Sequence, residues 1–300
     1  MKYLILVFLI LLGLQSSAQV DWQYLGEDPP VTAIEPKVFG AGKISTNDNE
    51  RDLTISPDGT EIYFSIQYSL TSSVIAYVKY ADGKWSRVKV APFSSLTNAD
   101  IEPTFAPAGD RLFFASKRTG DFDIWYVDRN ADGGWSDPVN VGSNVNTTDN
   151  EFYPSVTSSG ALYFTARFNG NEDIWVSAYT GGVYQVPEAL SSVINTPGNE
   201  FNAFISANGS TIYFGSEKTG RGDIYKSSRS SGNWSEPSRL LLNSGALDYN
   251  PSEPVNSSYF FFTSERGGMA DPSPNPFEVG RVIRAQNMPR GGGGDIFWSR

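Results

Sequence analysis

Short apolar runs recur along this chain with a fixed period. Glu61-Ile-Tyr-Phe-Ser65, Arg111-Leu-Phe-Phe-Ala115, Ala161-Leu-Tyr-Phe-Thr165 and Thr211-Ile-Tyr-Phe-Gly215 each begin 50 residues after the one before, and Tyr259-Phe-Phe-Phe-Thr263 follows at a slightly shorter spacing. A second marker keeps the same period: Asp123-Ile-Trp125, Asp173-Ile-Trp175 and Asp223-Ile-Tyr225, with Asp295-Ile-Phe297 after an insertion and a degenerate copy at 74–77. A third is Trp85-Ser86, Trp135-Ser136 and Trp234-Ser235, replaced in the third repeat by Val183-Tyr184. Each repeat thus holds four short strands, A to D. Strand A ends at Ile55, Phe105, Val156 or Ile205, B is the Tyr-Phe run, C the Asp-Ile-Trp run, and D follows the Trp. Turn signals separate them, such as Ser56-Pro57-Asp58-Gly59 between A and B and Asp132-Gly133-Gly134 between C and D. Strand B is apolar at consecutive positions, the pattern of a sheet covered on both faces. Radially packed blades, each between two neighbours, meet that condition.

The pattern predicts an all-β five-bladed β-propeller of four-stranded antiparallel blades. The fifth repeat stops at Arg300, after strand C, without a D strand. Glu35-Pro36-Lys37-Val38-Phe39 resembles the D segments Asp137-Pro138-Val139-Asn140-Val141 and Glu236-Pro237-Ser238-Arg239-Leu240. The N-terminal strand is therefore expected to pair with the last blade and close the ring, which removes exposed edges. Residues 19–300 read as a single domain, with one long B–C insertion at about 268–293.

The Ser-Pro-Asp-Gly turn, the Tyr-Phe strand, the Thr-Gly-x-x-Asp-Ile-Tyr run and the Trp-Ser-x-Pro segment resemble the WD-repeat-like units of the TolB-like β-propeller family. The resemblance implies a periplasmic or secreted location and protein–protein contacts. Related small propellers stand beside polysaccharide-handling systems, which implies carbohydrate as a second ligand class.

Residues 1–18 point to the same location by their own pattern. Lys2 precedes an apolar run from Tyr3 to Leu14 and then Gln15-Ser16-Ser17-Ala18, the layout of a signal peptide cleaved near Ala18. The run is shorter than the roughly 20 residues a spanning helix needs, so no membrane insertion is expected. Composition then narrows the chemistry. With no Cys and no His, thiol nucleophiles, disulfides, histidine-based triads and His-ligated metals are excluded. A formal charge of −10 disfavours nucleic acid. No cofactor is expected; a structural calcium ion is compatible with the acids, but no loop has a calcium-binding spacing.

The antiparallel meander puts the B–C tips and the D–A loops on one face, around the channel mouth. Five aligned acids, Glu50, Asp100, Glu151, Glu200 and Asp248, start the A strands there. They read either as a cation or acid/base site, or as structural acids that bind backbone N–H groups or a basic residue of the neighbouring blade, for which Arg118, Arg167, Lys218 and Arg266 are candidates. Positions that break the repeat are the better ligand candidates. Two residues on come Asp52, Glu102, Tyr153, Asn202 and Asn250, and Arg51 replaces the apolar residue found at 101, 152, 201 and 249. The bland alternative is solvated variation at a loop edge. The 268–293 insertion carries Pro272, Pro274 and Pro276, and adds Phe277, Arg281 and Arg284 as candidates on the same face. The recurring Asp123, Asp173, Asp223 and Asp295 read as caps of the B–C turns.

Two function classes follow. The leading one is a monomeric, non-enzymatic interaction module binding a protein partner or an oligosaccharide at the mouth. The alternative is a carboxylate-dependent glycoside hydrolase in the same channel, with Asp52 and Glu102 as the pair to test, since that chemistry needs two acids roughly 5–9.5 Å apart. An acid that lacks a basic partner and has a raised pKa would discriminate them.

Overall fold

The computed structural model describes residues 30, 32, 34–46, 48–255, 257–266 and 294–300. All regular structure among them is β, in five antiparallel blades. In blade 1 the order from the axis outward is Glu50–Ile55, Glu61–Ser69, Ser72–Ala81 and Lys89–Val90. Blade 2 has Asp100–Phe105, Arg111–Ser116, Asp123–Asp128 and Val139–Asn140; blade 3 has Glu151–Val156, Leu162–Ala166, Asp173–Ser177 and Glu188–Ala189. Blade 4 has Glu200–Ile205, Thr211–Ser216, Asp223–Ser230 and Ser238–Arg239. The fifth has Asp248–Ser252, Phe260–Ser264, Asp295–Ser299 and, as its outer strand, Lys37–Val38. Each inner strand touches the inner strand of the next blade, and the fifth touches the first.

The ring closes as the repeat arithmetic predicts. Lys37 stands opposite Trp298 and Val38 opposite Phe297. Phe39 donates its backbone N–H to Ile296 O at 2.7 Å and packs edge-on to Trp298 at 5.2 Å. Burying that ring is worth about 1.5–3 kcal/mol, which anchors a strand of only two residues.

Five apolar clusters fill the five seams between blades. Consecutive apolar residues in the second strand serve two seams at once: Tyr63 faces blade 2, whereas Ile62 and Phe64 face blade 5. That is the physical reason the second strand shows no alternation.

One local feature decides the shape of the axis. Every inner strand slips register just after its second residue, for example between Arg51 and Thr54 and between Ile101 and Thr104. The residue at each slip is left-handed: Asp52 (φ 60°), Glu102 (61°), Tyr153 (49°), Asn202 (52°) and Asn250 (52°). Such a bulge re-aims side chains and sits typically beside functional sites. A non-glycine residue there costs about 1–2 kcal/mol, least for Asn and Asp, so Glu102 and Tyr153 carry the most strain.

Candidate functional site at the channel mouth

The five left-handed residues are the five positions singled out by their departure from the repeat. All are buried, which overturns the solvated loop-edge reading. Four of their backbone N–H groups are held by the preceding blade. Glu102 N–H donates to Ser65 Oγ at 2.8 Å, Asn202 N–H to Thr165 Oγ1 at 3.0 Å, and Asp52 N–H to Thr263 Oγ1 at 3.4 Å. Blade 2 has Ala115 where these hydroxyls stand, and there Tyr153 N–H donates instead to the Glu102 carboxylate at 2.6 Å. Blade 4 has Gly215, and the Phe201 ring occupies the space: a Cβ would meet it at 2.5 Å.

Their side chains form a belt across the axis. Asn250 of blade 5 donates its Nδ2 to Asp52 of blade 1. Arg51 donates its Nε to both Asp52 oxygens at 2.9 and 3.0 Å, one terminal nitrogen to Gln67 Oε1 at 2.7 Å, and the other to Glu102 of blade 2 at 3.4 Å. Its guanidinium also lies 5.1 Å from the Tyr249 ring centre. The Tyr153 hydroxyl of blade 3 then donates to Pro251 O of blade 5 at 2.7 Å. Blades 3 and 5 are not neighbours, so this bond crosses the channel. Below it remains a space of only about 30 Å³.

Above the belt lies a cavity of about 160 Å³ lined by Arg51, Gln67, Glu102, Thr165, Glu172 and Asn202, with Leu70, Ile101, Phe152 and Phe201 as apolar walls. Three predicted residues, Arg51, Glu102 and Asn202, reach it. Asp52, Tyr153 and Asn250 do not line it; they support its floor. The predicted pair Asp52 and Glu102 is brought together on one guanidinium. Burial and the Asp52 charge push the Glu102 carboxyl well above the usual carboxylate range, against the pull of Arg51. Phe277, Arg281 and Arg284, like the leader at 1–18, lie outside the described residues.

Gln67, Thr165, Leu70 and Glu172 were not foreseen. Gln67 and Leu70 arrive because the second and third strands of blade 1 run on to nine and ten residues, Glu61–Ser69 and Ser72–Ala81. The degenerate marker at 74–77 was the available signal that this hairpin differs. Gln67 is held by Arg51 through its oxygen, which fixes the amide's orientation, and its buried Nε2 has no hydrogen-bond partner among the described residues.

The repeated acids do something else. All five are buried and none lines the cavity. Glu50, Glu151 and Glu200 each accept the backbone N–H and the hydroxyl of a Thr four residues earlier: Thr46 (2.9 and 2.6 Å), Thr147 (3.2 and 2.7 Å) and Thr196 (2.6 and 2.8 Å). Asp100 and Asp248 are shorter and enlist an arginine as well: Arg118 at 3.0 Å and Arg266 at 2.7 Å. Those arginines belong to the same blade as their acid, not to the neighbouring one. Of the other foreseen partners, Arg167 pairs with Glu172 and Lys218 with Glu236. Burial pushes Glu50 up to about 8 and Glu151 up to about 7. The Asp-Ile-Trp acids cap turns as expected where Thr119 donates to Asp123 (2.5 Å) and Thr219 to Asp223. Among the described residues, no group of three or more potential ligands is placed to hold a metal ion, and no helix is long and apolar enough to cross a membrane.

No protein-family model matches the chain, and no curated protein does. Solved structures do. TolB from Acinetobacter baumannii shares 15% identity at a TM-score of 0.50, covering 84% of this chain and 55% of that one. The catalytic domain of the Coprinopsis cinerea GH62 alpha-L-arabinofuranosidase shares 11% at 0.50, covering 90% and 98%. A putative TolB from Agrobacterium tumefaciens shares 16% at 0.49, covering 73% and 71%. The chain thus has the fold of the TolB-like β-propellers, in a five-bladed form, and spans little more than half the length of the Acinetobacter TolB. Similar scaffolds carry a TolB and a glycoside hydrolase, so the fold leaves function to the site.

Proposed function

We propose that the protein is a secreted or periplasmic, non-enzymatic binding module that takes one residue of a protein or glycan partner into the mouth cavity. The observation that carries this reading is Gln67 Nε2, a buried donor with no hydrogen-bond partner among the described residues, on the wall of a cavity that has apolar sides. An unmet buried donor costs about 1–3 kcal/mol, which a ligand carbonyl or hydroxyl returns on binding. Thr165 accepts from Asn202 N–H and keeps its own proton to donate. Phe152, Phe201 and Ile101 offer apolar surface beside these groups. A volume of about 160 Å³ falls below the ~300–1,000 Å³ of pockets for whole drug-sized ligands, so it suits one side chain or one sugar unit of a larger partner. Location outside the cytoplasm rests on the leader pattern at 1–18.

Hydrolysis is the second reading, and one observation favours it: a carboxyl raised by burial, Glu102, lines the cavity, as a general acid would. Against it, Arg51 holds both Asp52 and Glu102, and the Asp52 side chain is fully buried, so the pair does not flank an open space.

Differential scanning fluorimetry of residues 19–300 against oligosaccharides and short peptides tests the reading. A ligand at 100 times its Kd adds about 2.7 kcal/mol, enough to raise the Tm by a few degrees. At least one such shift should vanish in Gln67→Ala and Asn202→Ala. If every shift survives both substitutions the mouth is rejected, and turnover lost in Glu102→Gln replaces binding by hydrolysis.

A further inference from the structure

Two seams between blades share one plug on the face opposite the mouth, and the seam that lies between them is built differently. Between blades 1 and 2, Trp135 plugs the seam. Its Nε1 donates to Tyr63 OH at 2.8 Å, Arg129 stacks 3.7 Å over its ring, and Arg129 also reaches Glu61 at 2.6 Å. Between blades 3 and 4 the same parts recur as Trp234, Tyr163 and Arg229, with Arg229 4.9 Å over Trp234. Strand register identifies their counterparts between blades 2 and 3. Arg229 pairs with Trp234, and Tyr179 pairs with Tyr184 at the corresponding place. Trp is thus replaced by Tyr184, Arg by Tyr179, and the facing Tyr by Phe113. The glutamate position, Glu61 in blade 1, is Arg111 in blade 2.

Each replacement removes volume or a tie across the seam. Arg111, with no acid across the seam to meet, forms a two-pronged pair with Asp128 of its own blade (2.6 and 3.0 Å), stacks 3.8 Å over Tyr126, and reaches only the tyrosines Tyr179 and Tyr184 across the seam. What remains is a cavity of about 400 Å³ between the two blades, within the usual range for ligand pockets. The tilted rings of Tyr179 and Tyr184, 4.8 Å apart, form one wall. Asp110, Arg111, Asp128 and Ser158 supply polar groups around it. Asp110 is exposed, and the Asp128 side chain is 47% exposed despite its arginine, so lone pairs of both carboxylates reach the cavity.

We infer that this cavity is a second ligand site, independent of the mouth, and that its ligand is a neutral oligosaccharide. Aromatic faces accept the C–H faces of sugar rings, while carboxylates and hydroxyls accept and return hydrogen bonds at the ring edges. A proline-rich peptide also suits aromatic grooves. It presents carbonyl acceptors and lacks N–H donors at proline, and this cavity's charged donor, Arg111, is already committed to Asp128.

Isothermal titration with cellohexaose, xylohexaose, mannohexaose and a linear arabinohexaose tests the inference on residues 19–300. At least one should bind. Its affinity should fall about tenfold or more in Tyr179→Ala, about 1.4 kcal/mol per tenfold, and in Asp110→Ala. Tyr184→Trp installs the residue the neighbouring blades use, so it should fold with an undiminished Tm and abolish binding by filling the cavity. Gln67→Ala at the mouth should leave this binding unchanged, which separates failure here from failure of the mouth reading. Absence of binding by all four sugars, or binding indifferent to Tyr179→Ala and Tyr184→Trp, overturns the inference. Binding of a decaproline peptide that Tyr184→Trp abolishes, without sugar binding, replaces the saccharide by a proline-rich partner.

Discussion

Two rings of residues, two positions apart on the same five inner strands, have opposite characters. The first, Glu50, Asp100, Glu151, Glu200 and Asp248, is nearly constant and turns outward to the preceding loop. The second, Asp52, Glu102, Tyr153, Asn202 and Asn250, differs in every blade but one and turns to the axis. Five carboxylates, three Glu and two Asp, solve a problem each blade has, namely fixing the D–A loop. Four kinds of side chain at the five positions of the other ring solve a problem that exists once, at the axis. The left-handed bulge between the rings lets one strand serve both.

The largest expected effect comes from breaking the second ring at its cation. Arg51→Met leaves Asp52 and Glu102 buried without a countercharge and should cost about 3–5 kcal/mol of stability in urea unfolding. Adding Asp52→Asn and Glu102→Gln should recover much of that loss. No recovery would mean that Arg51 acts through packing on Tyr249.

The first ring should cost less per member. Glu200→Ala orphans the Thr196 backbone N–H and the Thr196 and Ser216 hydroxyls, and should cost about 2–3 kcal/mol, with faster hydrogen exchange confined to the loop before blade 4. Exchange that accelerates at the channel mouth instead would erase the distinction between the rings.

Tyr153→Phe removes the bond across the channel to Pro251 O and should cost about 1 kcal/mol, with the ring still filling the axis. A neutral result would show that water replaces the hydroxyl.

The smallest effect is a slope with pH. Glu50 and Glu151 titrate at about 8 and 7 in the folded protein, above their unfolded values near 4.3. The folded state therefore binds more protons in that window. The stability these groups contribute is fully present below about pH 4 and is lost as pH rises toward 8. Glu50→Gln should flatten the decline measured by denaturant unfolding at several pH values.

The comparison also shows what the sequence could and could not reveal. Repeats at Tyr63, Phe113, Tyr163 and Tyr213 report packing between blades, which every blade shares, so blade count and closure through Val38 were legible. So was the list of variable positions at the mouth. Their burial was not, because a left-handed bulge leaves no mark in residue type when Glu102 and Tyr153 occupy it. Gln67 was missed for a related reason: its place depends on the length of one hairpin, and its importance on an arginine that holds only one end of its amide.

The most direct test of the central claim, that the variable ring and not the constant one frames the binding site, is a paired titration. Gln67→Ala and Glu200→Gln would be titrated calorimetrically with whichever peptide or oligosaccharide gives a Tm shift that Asn202→Ala abolishes. The account predicts that Gln67→Ala loses binding, while Glu200→Gln keeps binding at a lowered Tm. Binding lost in Glu200→Gln and kept in Gln67→Ala would contradict it.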